Sequence, residues 1–469
     1  MKFISSTIIA LLSSLLVFGQ EPSESKAVIL TLDDALRIAL SDNVSVKVAD
    51  QEITRTQYAK KGSYAALFPQ IDGNAAYQRT IKKQVMYMDF DMSELTGMAM
   101  GGDEQTAAAM AQESKPSSNS GFEVGRWNTY NAGVTASMPL VNFQLWQSLK
   151  LSAQDVELAI EKARSSRLDM VTQVKQAFFG ALLAKEAFNV YKEVYENALD
   201  NFSQTEKRYK VQKASELEYT RAKSTVQNAI PNVYDAESSV LLALWQLKAV
   251  LGMDLGEEID VAGSLNDYSD HMFYDIHEND DVSLDRNSTM RQLEIQAEEL
   301  ATAIKVQKAA SLPSLAASIS YSLIAMTNDF KFSEYQWSPY SYVGFSINIP
   351  IFAGGKRHAA VKQSQIQYGQ LKMQQEDTER QLRIAIRQYL NQMETGMKNF
   401  NAAQSAQETA RKAYDIATKS YNLGRSTITE LNDARLALTQ AQLGVSQAIY
   451  NFVIAKANLE KTIGCDFEE

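Results

Sequence analysis

The sequence predicts a mainly α-helical chain of two structural repeats. Each repeat is a long coiled-coil hairpin that carries a pair of amphipathic strands, four strands in all. Three observations lead there. Hydrophobic periodicity switches from 3.6 to 2 beside prolines at four places. Helical runs of unusual length separate those places. The order of features then recurs about 212 positions further on.

Composition narrows the function before any motif is read. With 45% hydrophobic and 22% charged residues, the 469-residue chain is a folded protein. Only 8 prolines and 21 glycines interrupt it, and 3 histidines and 1 cysteine leave little for His/Cys chemistry, so no enzyme is expected. A formal charge of −10 argues against nucleic acid, which needs a basic surface to release counterions. A mean hydropathy of −0.27 excludes a polytopic helical membrane protein but leaves a β-barrel anchor open.

Residues 1–19 read as a secretory signal peptide: a positive Met1-Lys2, an uncharged apolar stretch from Phe3 to Phe18, and small Gly19 before Gln20. No cysteine lies near that cleavage point, so a lipoprotein anchor is not expected, and Cys465 reads as a small buried residue. The first repeat is assigned to 20–252, with a helix and strands at about 69–80 and 127–140. An acidic connector follows at 253–283. The second repeat is 284–469, with a helix and strands at about 313–324 and 340–351.

The strands rest on alternation. Ile71, Gly73, Ala75 and Tyr77 alternate with Asp72, Asn74, Ala76 and Gln78, and Leu315, Ala317, Ile319, Tyr321 and Leu323 alternate with serines and Ala316. One oily and one hydroxyl-rich face over about ten residues is the pattern of a transmembrane β-strand, though also of a soluble sandwich. Trp127, Tyr130, Tyr321, Trp337, Tyr340 and Tyr342 collect towards the ends away from the prolines, as an interfacial aromatic belt would.

The helices rest on length. About 69 residues from Gln144 to Gln212 contain no proline and only Gly180, which gives a helix near 100 Å long. Lys356 to Leu423 is a second such run. The return arms, Glu216 to Leu251 and Thr427 to Ile463, are each about half as long, completed by Val44–Phe68 and Leu284–Leu312. Leu149, Ser152, Val156, Ala159, Ala163, Ser166 and Met170 form a coiled-coil seam. Pro231 predicts a kink or break in the first return arm. Four strands cannot close a barrel, for which about eight are needed, so strands in lipid would have to borrow further copies of the chain.

The repeat is also visible at the hairpin tips. Arg208-Tyr209-Lys210-Val211 matches Ser420-Tyr421-Asn422-Leu423, and Glu218, Ala222 and Lys223 fall on Glu430, Ala434 and Arg435. Together with the opening Thr31-Leu32-Asp33-Asp34-Ala35-Leu36-Arg37-Ile38-Ala39-Leu40 and the Tyr-x-x-Gly turn at Tyr421–Gly424, this arrangement resembles the TolC family of bacterial outer-membrane efflux proteins over nearly the whole mature chain. The resemblance implies a homotrimer whose four strands per chain make a 12-stranded barrel in the lipid of a Gram-negative outer membrane. A periplasmic α-barrel would extend from it and dock a periplasmic adaptor bound to an inner-membrane pump or ABC transporter. The expected function is a passive, gated export duct of a tripartite efflux or type I secretion system, without cofactor. The alternative of another class is a soluble periplasmic coiled-coil adaptor or scaffold.

The resemblance also implies site residues. Tyr421, Arg425, Glu430 and Asp433 would form the periplasmic gate, with the two acids, three apart on one helix face, ringing the entrance. Tyr209, Lys213, Glu218 and Gly424 would be adaptor-contact tips. Other motifs carry less. The acids from Asp254 to Asp285 lack EF-hand spacing and read as a solvated connector. Met86, Met88, Met92, Met98, Met100 and Met110 make copper or silver efflux a substrate variant, against a plain Met-rich loop. Gly354-Gly355-Lys356 is not a phosphate loop and reads as the turn from strand to helix.

Overall fold

The computed structural model describes residues 28–86, 122–273 and 283–465. The expected signal peptide, Met88 to Met110 of the insert, and the acids Asp275 to Asp281 lie outside the described residues. In chain order the elements are β1 (Val28–Leu30), α1 (Leu32–Asp42), α2 (Val44–Ala65), β2 (Gln70–Arg79), β3 (Gln84–Met86), β4 (Phe122–Val124), β5 (Asn128–Val141), α3 (Phe143–Lys210) and α4 (Glu216–Leu251). Then follow β6 (Ile259–Val261), two short 3₁₀ turns, α5 (Ser288–Ala309), β7 (Ser314–Thr327), β8 (Ser338–Asn348), α6 (Lys356–Asn422) and α7 (Ile428–Ile463). The chain divides into two compact units, each drawing segments from both repeats.

One unit, Ala59–Leu151 with Thr302–Gln363, holds the antiparallel four-stranded sheet in the order β2-β5-β7-β8. The strands start and stop where the prolines dictate. Pro69 and Pro313 stand immediately before β2 and β7, and β8 ends two residues before Pro350. Pro139 lies inside a central strand, at the register shift between Pro139 and Val141, where a missing N–H does least harm. Register puts Ile71, Ala136 and Ile319 on one face, and Asp72, Thr135, Ser320 and Tyr342 on the other, where Thr135 and Ser320 hydroxyls bond at 3.0 Å. The apolar face is bare: Ile319 is 57% exposed, Val343 67% and Phe345 72%. At the far end of the strands Tyr77 stacks on Tyr130 at 4.9 Å, and the β7–β8 connection brings Phe332 and Tyr335 against them. Of the aromatic residues near these strand ends, Tyr340 and Tyr342 pair with Ser322 and Ser320 on the hydroxyl-rich face, whereas Tyr130 and Tyr321 lie on the oily one.

The other unit comprises residues up to Tyr58, Ser152–Ala301 and Ser364–Glu469. Its core joins Phe178, Leu182, Leu247, Leu251, Leu265, Met272, Met393 and Phe452, all essentially without solvent contact. Each such side chain contributes roughly 1.5–3 kcal/mol by burial. Within the seam, Ala159, Ala163 and Met170 are buried, and small residues there let helices approach closely. The repeat is written in its caps. Asn43 donates through Nδ2 to the Val250 carbonyl while its Oδ1 accepts from Ser45 N–H; Asn287 does the same with Thr462 and Met290. The α4 and α7 C-termini end on left-handed Gly252 and Gly464.

Several expectations are corrected here. Helix α4 runs unbroken through Pro231. Pro231 and Gln227 are both exposed, so the carbonyl that loses its helical partner faces water. The connector after Met253 is not simply solvated. Ile259, Val261, Leu265 and Met272 are core residues, β6 pairs in parallel with β1, Asp260 accepts from Lys185 at 2.7 Å, and Asp267 caps a 3₁₀ turn. Cys465 is exposed rather than buried, one residue beyond the buried helix cap Gly464. Gly354 and Gly355, both with positive φ, turn the chain between β8 and α6 as expected.

Candidate functional site

The tips where α3 turns into α4 and α6 into α7 are built by local chemistry repeated twice. After each long helix one residue takes the left-handed conformation, Gly424 (φ 70) in the second tip and Gln212 (φ 59) in the first. The next N–H closes the helix end: Arg425 bonds to Ser420 O at 2.9 Å, and Lys213 to Arg208 O at 2.7 Å. Ser215 and Thr427 then cap the return helices, and Glu218 and Glu430 complete reciprocal capping boxes by accepting from Ser215 N–H (3.0 Å) and Thr427 N–H (3.2 Å). The matching glutamates of the two repeats therefore have a structural duty before any other.

Above the turns a small apolar cluster joins the hairpins: Tyr421, Ile428 and Leu431 from the second, and Ala222 from the first, with Phe202, Tyr414 and Ala417 packed against it. Polar bonds between hairpins surround it. Tyr421 Oη meets Thr205 Oγ1 at 3.1 Å in a buried contact. Thr205 already donates to Asn201 O at 2.8 Å, so its hydrogen is committed and Tyr421 must be the donor. Arg221 donates to Thr429 at 3.4 Å and Asn432 to Thr225 at 3.2 Å. Arg435, 8% exposed, donates to Tyr414 Oη at 2.9 Å and to Val194 O at 3.5 Å. Asn432 Oδ1 is buried with no partner. The cluster is small, with four buried side chains, and one buried acceptor beside it has no partner.

Of the residues expected at the gate, Tyr421 is 6% exposed and bonded across the hairpins. Glu430 is occupied by its cap, while Arg425 and Asp433 are exposed with no ion pair among the described residues. Of the residues expected to meet an adaptor, Tyr209 stacks on Tyr219 at 4.9 Å, Glu218 caps α4, Gly424 forms the turn, and Lys213 is exposed. Sequence reasoning missed Thr205, Arg221, Thr225, Asn432 and Tyr414. It met Arg435 only as the repeat partner of Lys223. No pattern marks a polar residue whose partner lies some 200 positions away.

The second electrostatic feature lies between α3 and α5. Burial, then the neighbouring Asp155 carboxylate, pushes Glu299 up to about 7, partly offset by Lys162. Burial also raises Asp155. Neither group lies near the tips, and among the described residues no group of three or more His, Cys, Asp or Glu could hold a metal.

A bare-faced, open-edged sheet joined to paired helical hairpins is the build of an outer-membrane channel subunit. Comparison with known proteins agrees. The family model for outer membrane efflux proteins matches residues 35–253 and 281–465, and the chain belongs to that family. Outer membrane protein TolC of Escherichia coli is 20% identical over 347 residues, 72% of this chain and 70% of its own. The alkaline protease secretion protein AprF of Pseudomonas aeruginosa is 21% identical over 71% of this chain and 69% of its own. The crystal structure of the Campylobacter jejuni CmeC outer membrane channel superimposes with a TM-score of 0.70 at 18% identity, covering 92% of this chain and 85% of that one. The protein is accordingly a channel component of the outer membrane that extends into the periplasm, not an enzyme and not a soluble scaffold.

Proposed function

We propose that three copies of the mature chain assemble into a passive duct for efflux or type I secretion, twelve strands closing a barrel in outer-membrane lipid. In this reading residues 1–19 are removed on export. The repeats 20–252 and 284–469 supply the hairpins, joined by the connector 253–283. A periplasmic adaptor engages the tips at Tyr209, Lys213, Glu218 and Gly424, and an inner-membrane pump or ABC transporter supplies the energy.

The single observation that carries the reading is the sheet. Both its edges, β2 and β8, are unpaired among the described residues, and the face of Ile71, Val134, Ile319, Val343 and Phe345 is largely apolar and exposed. In lipid each unpaired backbone group costs several kcal/mol, so the edges must be paired by further copies. The gate is assigned to Tyr421, Arg425, Glu430 and Asp433. Tyr421 latches its hairpin to Thr205, and the exposed Asp433 and Arg425 are free to meet neighbouring chains. The capping role of Glu430 leaves Asp433 as the main charge at the entrance.

The experiment is purification in detergent followed by planar-bilayer recording. A heat-modifiable trimer with discrete conductance steps is expected, and Asp433→Asn with Glu430→Gln should lower cation preference. A monomer released by osmotic shock, with no conductance, would end the reading.

A further inference from the structure

At the end of the sheet away from the helices the chain gathers positive charge. Arg79 is the last residue of β2 and pairs in register with Asn128, so it belongs to the oily face. Its guanidinium lies 5.6 Å from the Phe330 ring centroid. Three and four residues on, Lys82 and Lys83 follow in a turn held by Thr80 N–H on Trp127 O, and Lys83 Nζ lies 4.8 Å from the Trp127 ring centroid. Arg126 is exposed beside that tryptophan. None of these four cations has a carboxylate partner among the described residues. The acids nearby are otherwise engaged or apart: Asp329 accepts from Thr327 Oγ1 at 2.7 Å and from Lys331 N–H, Glu334 lies 3.9 Å from Lys331, and Glu123 pairs with none of the four.

We infer that this rim binds the phosphate groups of a phosphorylated glycolipid of the outer leaflet. The inference rests on the barrel reading above. If the oily face meets lipid, the rim stands where acyl chains give way to headgroups. Four cations with no carboxylate partner among the described residues, in a chain of net charge −10, are complementary to phosphate. Arginine adds the planar fork that suits a phosphate oxygen pair. The aromatic rings hold two of the cations in place and offer apolar surface continuous with the acyl-chain face, as Phe330 is 53% exposed and Ile81 95%. A phospholipid would meet the same apolar surface but brings one phosphate; a glycolipid phosphorylated at two positions can occupy both the Arg79 and the Lys83–Arg126 sides.

The test titrates the full-length assembly in detergent with bisphosphorylated lipid A, its enzymatically dephosphorylated form, and phosphatidylglycerol. The neutralised variant is R79Q/K82Q/K83Q/R126Q, and R79K/K82R/K83R/R126K keeps the charge. Near an anionic surface each lost charge costs roughly fivefold in affinity, so the neutralised variant should bind about a hundredfold or more weaker. The charge-keeping variant should stay within about tenfold, and the dephosphorylated lipid should not bind. Equal binding by the native and neutralised proteins, or by lipid A with and without phosphate, overturns the proposal, as does phosphatidylglycerol binding as tightly as lipid A. Bilayer conductance of the native protein separates the two levels: its absence strikes the duct reading itself, whereas its presence with no phosphate dependence strikes only this site.

Discussion

The buried contact between Tyr421 and Thr205 can be removed from either side, and the two removals should differ. In Tyr421→Phe the ring keeps its packing on Ile428, Leu431 and Ala222, and Thr205 keeps its bond to Asn201 O. Only one hydrogen bond is lost, about 1 kcal/mol per chain. In Thr205→Val the Tyr421 hydroxyl stays buried with no acceptor, about 1–3 kcal/mol. If three copies open together the Tyr421→Phe cost triples to about 3 kcal/mol, a shift of somewhat more than a hundredfold in the closed-to-open ratio. Single-channel recording of open probability in planar bilayers reads this directly. Thr205→Val should open the channel more than Tyr421→Phe, and the double variant should be no more open than Thr205→Val, because the contact is counted once. Unchanged open probability in both single variants, or strictly additive effects in the double, would show that this contact does not hold the gate.

Three further outcomes follow from the backbone and the buried acids. Gly252 and Gly464 occupy matching left-handed caps, but a Cβ on Gly464 would run into the Arg286 carbonyl, whereas one on Gly252 meets Asn43 at an ordinary 3.6 Å. Gly252→Ala should cost about 1 kcal/mol and Gly464→Ala several times that, read as melting temperature and yield of assembled protein. Gln212 is the one non-glycine residue held at positive φ among the described residues, so Gln212→Gly should stabilise the first tip by about 0.5–1 kcal/mol, seen as slower amide exchange over residues 213–219. Glu299, pushed up to about 7 by burial and Asp155, holds its proton more tightly folded than unfolded. Its contribution is therefore intact below about pH 4.5 and is lost as pH rises through about 7. Denaturant titrations of Glu299→Gln should lack that decline, and an identical pH slope in both proteins would rule Glu299 out.

How far the sequence disclosed this molecule follows from the range of the forces involved. The four strands could be read because alternation and proline act within a few residues: Pro69 and Pro313 set the starts of β2 and β7. The tips could be read because their residues recur, Tyr209 with Tyr421 and Glu218 with Glu430, but the capping boxes of Ser215 with Glu218 and Thr427 with Glu430 went unrecognised although they are equally local. Strands β1 and β6 escaped, since three residues are too few to show a period, and they exist only because Leu30, Ile259 and Val261 find a core to enter. Pro231 causes no break because helix continuity there depends on exposure, which the sequence does not state. Thr205 and Asn432 carried no signal at all. A threonine on a long helix is ordinary until a tyrosine 216 positions away is placed against it.

The repeat also explains where function had room to appear. Positions held by local chemistry stay alike: the capping glutamates, the tyrosines before each turn, the C-terminal glycines. Positions free of that duty diverge, and the clearest is the residue three after each capping glutamate, Arg221 in the first tip and Asp433 in the second. Arg221 is drawn across to Thr429, inside the chain's own latch, while Asp433 remains exposed. One repeat thus spends this position on holding the hairpins together, and the other presents charge. A ring built from three copies would carry its acid from the second hairpin alone. Exchanging the pair, Arg221→Asp with Asp433→Arg, should therefore loosen the latch and reverse the entrance charge together, whereas Asp433→Arg alone should reverse ion preference in bilayers with the latch intact. If Asp433→Arg leaves ion preference unchanged, the divergence of the repeats has no part in the entrance.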